Sequence, residues 1–492
     1  MMKRVIIIAI FVLFLSIEAV ARPSYEVVFI SPEQFGAALT PLIDDARDDG
    51  WKVDLFTTEY IESVYPGSSK KEKIKAALQD FYNCGMEAVC FVGDADYSGT
   101  EPEKDMIPLW YYYCPEIGYW RDDRATVIDY VDFDGDRLPD VTWTCVPSDS
   151  VWQVENFVSK SLFYKNEVDP SSQWLNKCLW LVEDEDLEGN SGAITRMYAD
   201  SLMNCQSLRR LTRTDLYDSD IPYGYYNRED TAVALINEGA GLIFGMGTVS
   251  NRTCFVDFMS GYFGFRVNEK LTDNGKCGVY FGLCCGLGDY DRPVDPDCGP
   301  DLCSQFLFSS GNRGATFWIA PSSNTRYQSN YLLGKALVDQ LFQLGARTTA
   351  EAGLLALRKV MLEHPEFSEV WESQNFFGSP FHVLRGMKVI VPTSVDRMPK
   401  YPFELSQNYP NPFNPITTIR YSVPKSGHVS VRVYDVNGRL VKVLYEGYRK
   451  AGSYSITWNG RNGKGRELAS GVYFCQLRQG DKVQNKKLVL LR

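Results

Sequence analysis

Between Tyr25 and about residue 390, apolar positions fall alternately into short unbroken runs and into a helical period. Tyr25 to Ile30 is a β-branched run that reads as a strand. Phe35 to Asp48 places Phe35, Leu39, Leu42 and Ile43 on one face opposite charged residues, which predicts a helix. Trp51 to Thr57 predicts a second strand, Lys70 to Tyr82 a second helix and Ala88 to Val92 a third strand. Such a βαβαβ order calls for a parallel sheet with right-handed crossovers. The rhythm resumes with strands at Cys178 to Val182, Leu242 to Phe244, Val279 to Leu283 and Ala315 to Ile319. Helices are expected at Ala193 to Cys205, Arg228 to Glu238, Leu302 to Ser309 and Leu332 to Leu344. In a sheet of this kind the working groups sit on loops at the carboxyl ends of strands.

The pattern changes at Val391. Pro392, Pro399 and Pro402 mark a linker over 391–402, and no helical period follows it. Thr418 to Val423, Val429 to Tyr434, Ser453 to Trp458 and Val472 to Leu477 alternate as half-buried strands do, with Asn437-Gly438 and Asn459-Gly460 among the turns. Residues 403–492 therefore predict a small Ig-like antiparallel β-sandwich.

At 492 residues the chain is too long for one ordinary domain. Its net charge of -11 argues against a nucleic-acid partner, and Lys70-Lys-Glu-Lys73 reads as a solvated helix start. Residues 1–21 read as an export signal: Lys3 and Arg4, an apolar stretch from Val5 to Leu15, then Ala19-Val-Ala21. No later segment has the length of a membrane helix. Thirteen cysteines in an exported chain allow disulfides, with Cys84–Cys90 and Cys298–Cys303 as candidate pairs. Three histidines and no Cys/His spacing leave no zinc site in view.

The metal signal lies instead in Asp132-x-Asp134-Gly135-Asp136-x-x-x-Asp140. Alternating carboxylates on a glycine turn gather hard oxygens, which suits Ca²⁺, and the spacing follows the early part of an EF-hand loop. The glycine comes two places early and no glutamate closes the loop. The other reading is an acidic surface turn with Asp140 capping the next strand. Asp122 and Asp123 are candidates for further ligands. Glu183-Asp-Glu-Asp-Leu-Glu188 reads as a solvated loop, while Trp110 to Tyr113 and Tyr223 to Tyr226 either line a cleft or pack.

Two strand ends carry the remaining chemistry. Gly241-Leu-Ile-Phe-Gly-Met-Gly247 ends in a glycine turn, and Gly278-Val-Tyr-Phe-Gly-Leu-Cys-Cys285 runs into Gly286-Leu-Gly-Asp289. Together they resemble the catalytic strand ends of the gingipain family, secreted cysteine peptidases with a caspase-like fold. The family reads Gly-His-Gly at the first place and Cys-x-x-Gly-Asp or a close variant at the second. Val92-Gly-Asp94 with Ile107-Pro108, Tyr130 to Asp140, and Phe377-Gly-Ser-Pro380 extend the resemblance across residues 24–390. It implies a three-layer α/β domain with a mainly parallel sheet, and Cys285 as nucleophile. Met246 stands where the histidine belongs, Thr144-Cys145 where Gly-Arg is usual, and Ser379 where aspartate is. His364, His382 and His428 read as surface or structural residues. Cys285 is then either a retained, unactivated nucleophile or a packing residue or disulfide partner of Cys284, Cys298 or Cys303. Met246 reads as a packing residue.

Leu405-Ser-Gln-Asn-Tyr-Pro-Asn-Pro-Phe-Asn-Pro-Ile-Thr-Thr-Ile-Arg-Tyr-Ser-Val-Pro424 closely resembles the C-terminal sorting domain of type IX (Por) secretion cargo. Val433 to Arg439, Trp458-Asn-Gly460 and Ser470 to Phe474 continue the match. This resemblance implies a chain addressed to the outer membrane or beyond, whose partner through residues 403–492 is the type IX machinery. Three functional readings follow. The chain is a gingipain-like cysteine peptidase homologue impaired by Met246, an active cysteine endopeptidase acting on protein or peptide substrates through another base, or a surface adhesin that was never catalytic.

Overall fold

The computed structural model describes residues 25–94, 106–113, 123–182, 184, 191–220, 225–247, 270–283, 307–309, 311–322, 327–342, 346–367, 373–387, 403–424, 426–449 and 452–492. Residues 1–21, expected to be an export signal, and residues 391–402, expected to be a linker, lie outside these residues.

The first unit is built as its pattern predicts. β1 (Val27–Ser31) leads to α1 (Gly36–Asp48), β2 (Val53–Thr57), α2 (Thr58–Val64), α3 (Lys70–Asn83) and β3 (Ala88–Val92). α3 starts at Lys70 because the Ser69 hydroxyl accepts the Glu72 N–H, while the Glu72 carboxylate reaches back to the Ser68 N–H at 2.7 Å. These contacts satisfy donors that a helix start leaves open. A hairpin of β4 (Trp110–Tyr113) and β5 (Asp123–Thr126) follows, with one turn of helix, α4 (Ile128–Val131), and then β6 (Thr142–Val146). The chain continues through α5 (Val151–Asn166), β7 (Lys177–Val182), α6 (Ser191–Met203), β8 (Thr212–Tyr217), α7 (Tyr225–Glu238), β9 (Leu242–Met246), β10 (Gly278–Leu283), β11 (Ala315–Pro321), α8 (Tyr327–Phe342), α9 (Thr349–Glu363) and β12 (Gln374–Gly378).

Among the described residues, one ten-stranded sheet runs in the order β2-β1-β3-β6-β12-β11-β10-β9-β7-β8. Its pairs are parallel except β11 with β12, which is antiparallel. Every residue of β9, β10 and β11 is buried, so both faces of the sheet are covered and the domain is a three-layer α/β structure.

The sequence pattern missed α2, α4, α5, α9, β4, β5, β6, β8 and β12. β6 reads Thr-Trp-Thr-Cys-Val and β12 reads Gln-Asn-Phe-Phe-Gly, polar sequences that burial makes into central strands. α8 begins at Tyr327, five residues ahead of the expected start, because its first turn buries Ser329 and Asn330 rather than apolar side chains. The expected bridge between Cys84 and Cys90 is absent: both are free thiols, and burial inside β3 pushes the Cys90 thiol up to about 12. Cys298 lies outside the described residues, as do Cys303 and all of Leu302 to Ser309 except 307–309.

The C-terminal region is a sandwich with its own core. One sheet is β13 (Glu404–Leu405), β14 (Thr417–Val423) and β17 (Gly452–Trp458) in the order β13-β14-β17. The other is β15 (Gly427–Asp435), β16 (Leu440–Arg449), β18 (Gly471–Gln479) and β19 (Lys482–Leu490) in the order β16-β15-β18-β19. Leu405, Ile419, Tyr421, Val431, Val433, Trp458, Leu477 and Leu488 are buried between the sheets. The pattern missed the two-residue β13, and also β16 and β19, the two edge strands of the larger sheet, where lysines, glutamate and arginine interrupt the alternation, as edge strands tolerate.

Candidate functional site

β9 and β10 are parallel neighbours, and their carboxyl ends coincide: Met246 pairs in register with Leu283. On the other side of Met246 stands Val182, the last residue of β7. One row behind, Trp180 stacks on Phe244 at 4.2 Å and Phe244 on Phe281 at 4.7 Å. Side chains two apart in a strand share a face, so Val182, Met246 and Leu283 extend this aromatic row to the rim of the sheet. Met246 is 1% exposed and is the middle member of an apolar row. Its thioether is at best a weak hydrogen-bond acceptor. Cys285 follows Leu283 by two positions and lies outside the described residues, as do Cys284 and 286–289.

Asn330 is a residue the sequence reading missed. From the first turn of α8 its Nδ2 donates to the carbonyl of Leu283 at 2.9 Å. The only signal was a Ser-Asn pair ahead of an apolar stretch.

None of the three histidines reaches this rim. His382 is buried at the opposite, amino end of the central strands, with Nε2 3.1 Å from Thr316 Oγ1 and Nδ1 2.8 Å from Thr349 Oγ1. Thr316 in turn bonds the carbonyl of Gly278, the first residue of β10. Five residues of parallel strand, roughly 16 Å, separate that end from Leu283. Burial alone pushes the His382 imidazole down to about 3. His364 closes α9 beside Glu366, and His428 is exposed in the sandwich. Thr144 and Cys145 lie buried within β6, and Ser379 is buried with its hydroxyl accepting the Phe381 N–H.

The acidic loop is built by its own backbone. Asp132 accepts the N–H groups of Gly135 and Arg137 at 2.8 and 3.0 Å, Asp134 accepts Asp136 at 3.1 Å, and Asp136 accepts Leu138 at 2.8 Å. Gly135 turns at φ 77°, where a side chain would be strained. One oxygen from each of Asp132, Asp134 and Asp136 falls within 4.8 Å of the others. Asp140 is not one of that trio, though it feels the Asp134 and Asp132 charges; its Oδ2 accepts the Phe133 N–H at 2.8 Å. Asp136 is 6% exposed, and its Oδ2 is buried without a hydrogen-bond partner. Burial first and the Asp134 charge second push the Asp136 carboxyl up to about 8 and that of Asp140 up to about 7. Against this stands buried Arg358 of α9, which donates to the carbonyl of Pro139 at 2.5 Å. One guanidinium beside four carboxylates leaves a negative pocket of hard oxygens, a donor set that fits Ca²⁺.

Other candidates did not join either site. Asp122 and the side chain of Asp123 lie outside the described residues, as do the side chains of Trp110 to Tyr113 and Tyr223 to Tyr226. Within the expected solvated loop, Asp184 has a buried side chain held by Arg196 at 2.5 Å and by the Ser219 N–H. It is a structural ion pair.

The family model for peptidase family C25 matches residues 21–385, and that for the secretion system C-terminal sorting domain matches residues 407–491. No curated protein matches the chain. Among solved structures, the complex of Porphyromonas gingivalis RgpB pro- and mature domains is 15% identical, with a TM-score of 0.58 over 95% of this chain and 100% of that one. The Arg-specific cysteine proteinase gingipain R (RgpB) is 14% identical, with a TM-score of 0.59 over 95% and 98%. A further protease is 18% identical, with a TM-score of 0.56 over 94% and 97%. At these identities the likeness establishes the fold.

Proposed function

This chain belongs to peptidase family C25, and we propose that it is a catalytically impaired member acting at the cell surface by binding rather than by cleavage. Its sorting domain directs it to secretion or surface attachment and implies engagement of the type IX secretion machinery. The observation that carries the proposal is Met246, buried in an apolar row at the rim beside β10. A cysteine nucleophile works as thiolate, which a neighbouring imidazole generates, and the leaving amine needs a proton back. A thioether does neither. His382 does not substitute, since both its ring nitrogens are engaged at the amino end of the strands. Cys285 follows β10 in sequence, and among the described residues no imidazole stands at this rim. The test is hydrolysis of peptide libraries by the purified chain. Trace turnover is expected; robust turnover abolished by Cys285→Ala would establish the active-peptidase reading.

We further propose that Asp132, Asp134 and Asp136 hold Ca²⁺, with Asp140 bracing the loop rather than ligating. The buried, unpartnered Oδ2 of Asp136 supports this, because an anionic oxygen without partner is costly to bury. When bound, the ion would neutralise the loop and stabilise the fold. Melting that is unchanged between calcium and chelator would refute it.

A further inference from the structure

The ten-stranded sheet ends in β2 on one side and in β8 on the other, and the two edges are finished differently. At β2, the Arg47 guanidinium of α1 takes the carbonyl of Val53 through two N–H donors at 3.1 and 2.9 Å, and Thr57 caps α2 where the strand ends. β8 pairs with β7 alone, and among the described residues nothing bonds the backbone of Thr212–Tyr217 from its other side. The strand reads Thr-Arg-Thr-Asp-Leu-Tyr and keeps register with β7 over all six residues, with no proline or bulge to blunt it. An edge of this kind is a template for another strand.

The charges along this edge change sign about Thr214. Exposed Arg209, Arg210 and Arg213 precede it, and Asp215 and exposed Asp220 follow it. Arg213 and Asp215 point to one face, joined within the strand at 2.6 Å. From this order we infer that β8 is a self-association edge, on which a second copy of this chain pairs its own β8 antiparallel about a twofold axis through Thr214. A twofold contact uses the same patch on both copies, so the patch must complement itself. In this register Arg213 of each copy stands opposite Asp215 of the other, and opposite charges directly across a strand pair are favourable. The arginines ahead of the strand in one copy likewise approach Asp220 of the other. Parallel alignment would set like charges together. A six-residue strand buries less than the roughly 800 Å² per side of a standard interface, so the association is reversible and concentration-dependent.

The experiment is sedimentation velocity on the purified full chain over a wide range of concentration. A monomer–dimer equilibrium is expected, weakened at about 1 M salt, where the screening length falls to about 3 Å. Arg213→Asp sets like charges opposite each other and should raise the dimer dissociation constant about tenfold or more, as should Asp215→Arg. An equimolar mixture of the two variants should dimerise again, because every aspartate of one then faces an arginine of the other. The pair within each strand stays broken in both variants, so a repaired monomer cannot produce that rescue. If Asp215→Arg does not fold, Thr214→Cys replaces the mixture. Position 214 meets its own copy on the axis, so diamide should link it into a covalent dimer identified by peptide mass spectrometry. Thr212→Cys lies about 13 Å along the strand from its own copy and should not link. A mixture that stays monomeric while both variants fold would overturn the inference. So would a dimer indifferent to Arg213→Asp, which would lie on a different face. A chain monomeric at every concentration would overturn it too, leaving the edge to an extended segment of another protein.

Discussion

The rim of β7, β9 and β10 and the loop from Asp132 to Asp140 are opposites within one domain. At the rim, this chain has a row of Val182, Met246 and Leu283 that continues the core outward. In the loop, where connecting segments are normally solvated, it buries Asp132, Asp136 and Asp140 with Arg358 as counter-charge. The first region is apolar and closed by packing. The second keeps charge that packing alone does not balance. Position in a fold therefore does not assign chemistry; the surroundings of each side chain do.

The largest effect expected is at the rim. Met246→His should raise hydrolysis of peptide libraries by up to about 10²–10⁴, the range that general acid–base help supplies, and Cys285→Ala should abolish the gain. Library turnover unchanged by the histidine would mean that the row differs from a working site in more than one residue.

The loop responds to cation instead. Free Ca²⁺ at about 100 times its dissociation constant should add roughly 2.7 kcal/mol to folding, read as a rise in Tm over chelator. Asp136→Asn should reverse sign with conditions, stabilising in chelator and destabilising in calcium. In chelator the folded carboxyls of Asp136 and Asp140, raised to about 8 and 7, hold protons that the unfolded chain releases. Stability contributed this way is gained as pH falls from about 8 toward the unfolded carboxylate range, and calcium should flatten that slope.

His382 should run the other way. Its folded value is pushed down to about 3 from 6.5, so the unfolded state takes the proton first. Stability is lost as pH falls below 6.5, by about 1.4 kcal/mol per unit, or roughly 2 kcal/mol by pH 5. Urea unfolding of His382→Gln at pH 7 and pH 5 should lack this increment; an identical acid loss would place the titrating group elsewhere.

The smallest effect expected is in the sandwich. Gly438 turns the β15–β16 hairpin at φ 74° with no atom within 4 Å of an added Cβ, so Gly438→Ala tests backbone strain alone. A loss of about 1 kcal/mol is expected, confined to unfolding of residues 403–492 because their core is separate. Co-operative loss of the α/β domain would show the two cores coupled.

Much of this was legible in order along the chain. Ala88 to Val92 was read as a strand with the bounds it has, and α3 begins at Lys70 because Ser69 and Glu72 cap it. α9 carried a similar signal that went unread: the Thr348 hydroxyl accepts the Glu351 N–H, and Glu351 reaches back to the Arg347 N–H at 2.7 Å. β6 and β12 were illegible because central strands with Thr, Gln and Asn are recognised only once their neighbours bury them. The same holds for Asn330, whose partner lies 47 positions away.

The sequence by itself determined the alternation of elements, the change of rhythm at Val391, the acidic spacing from Asp132 to Asp140 and the glycine turn that follows Met246. These are local facts, fixed by periodicity and residue chemistry. Only the tertiary structure decided that Met246 is the centre of an apolar row, that Asp132, Asp134 and Asp136 rather than Asp140 bring their oxygens together, and that His382 sits at the amino ends of β10 and β11. Each of those depends on which strands become neighbours. Strand pairing joins residues far apart in sequence, and no local pattern encodes the register in which they meet.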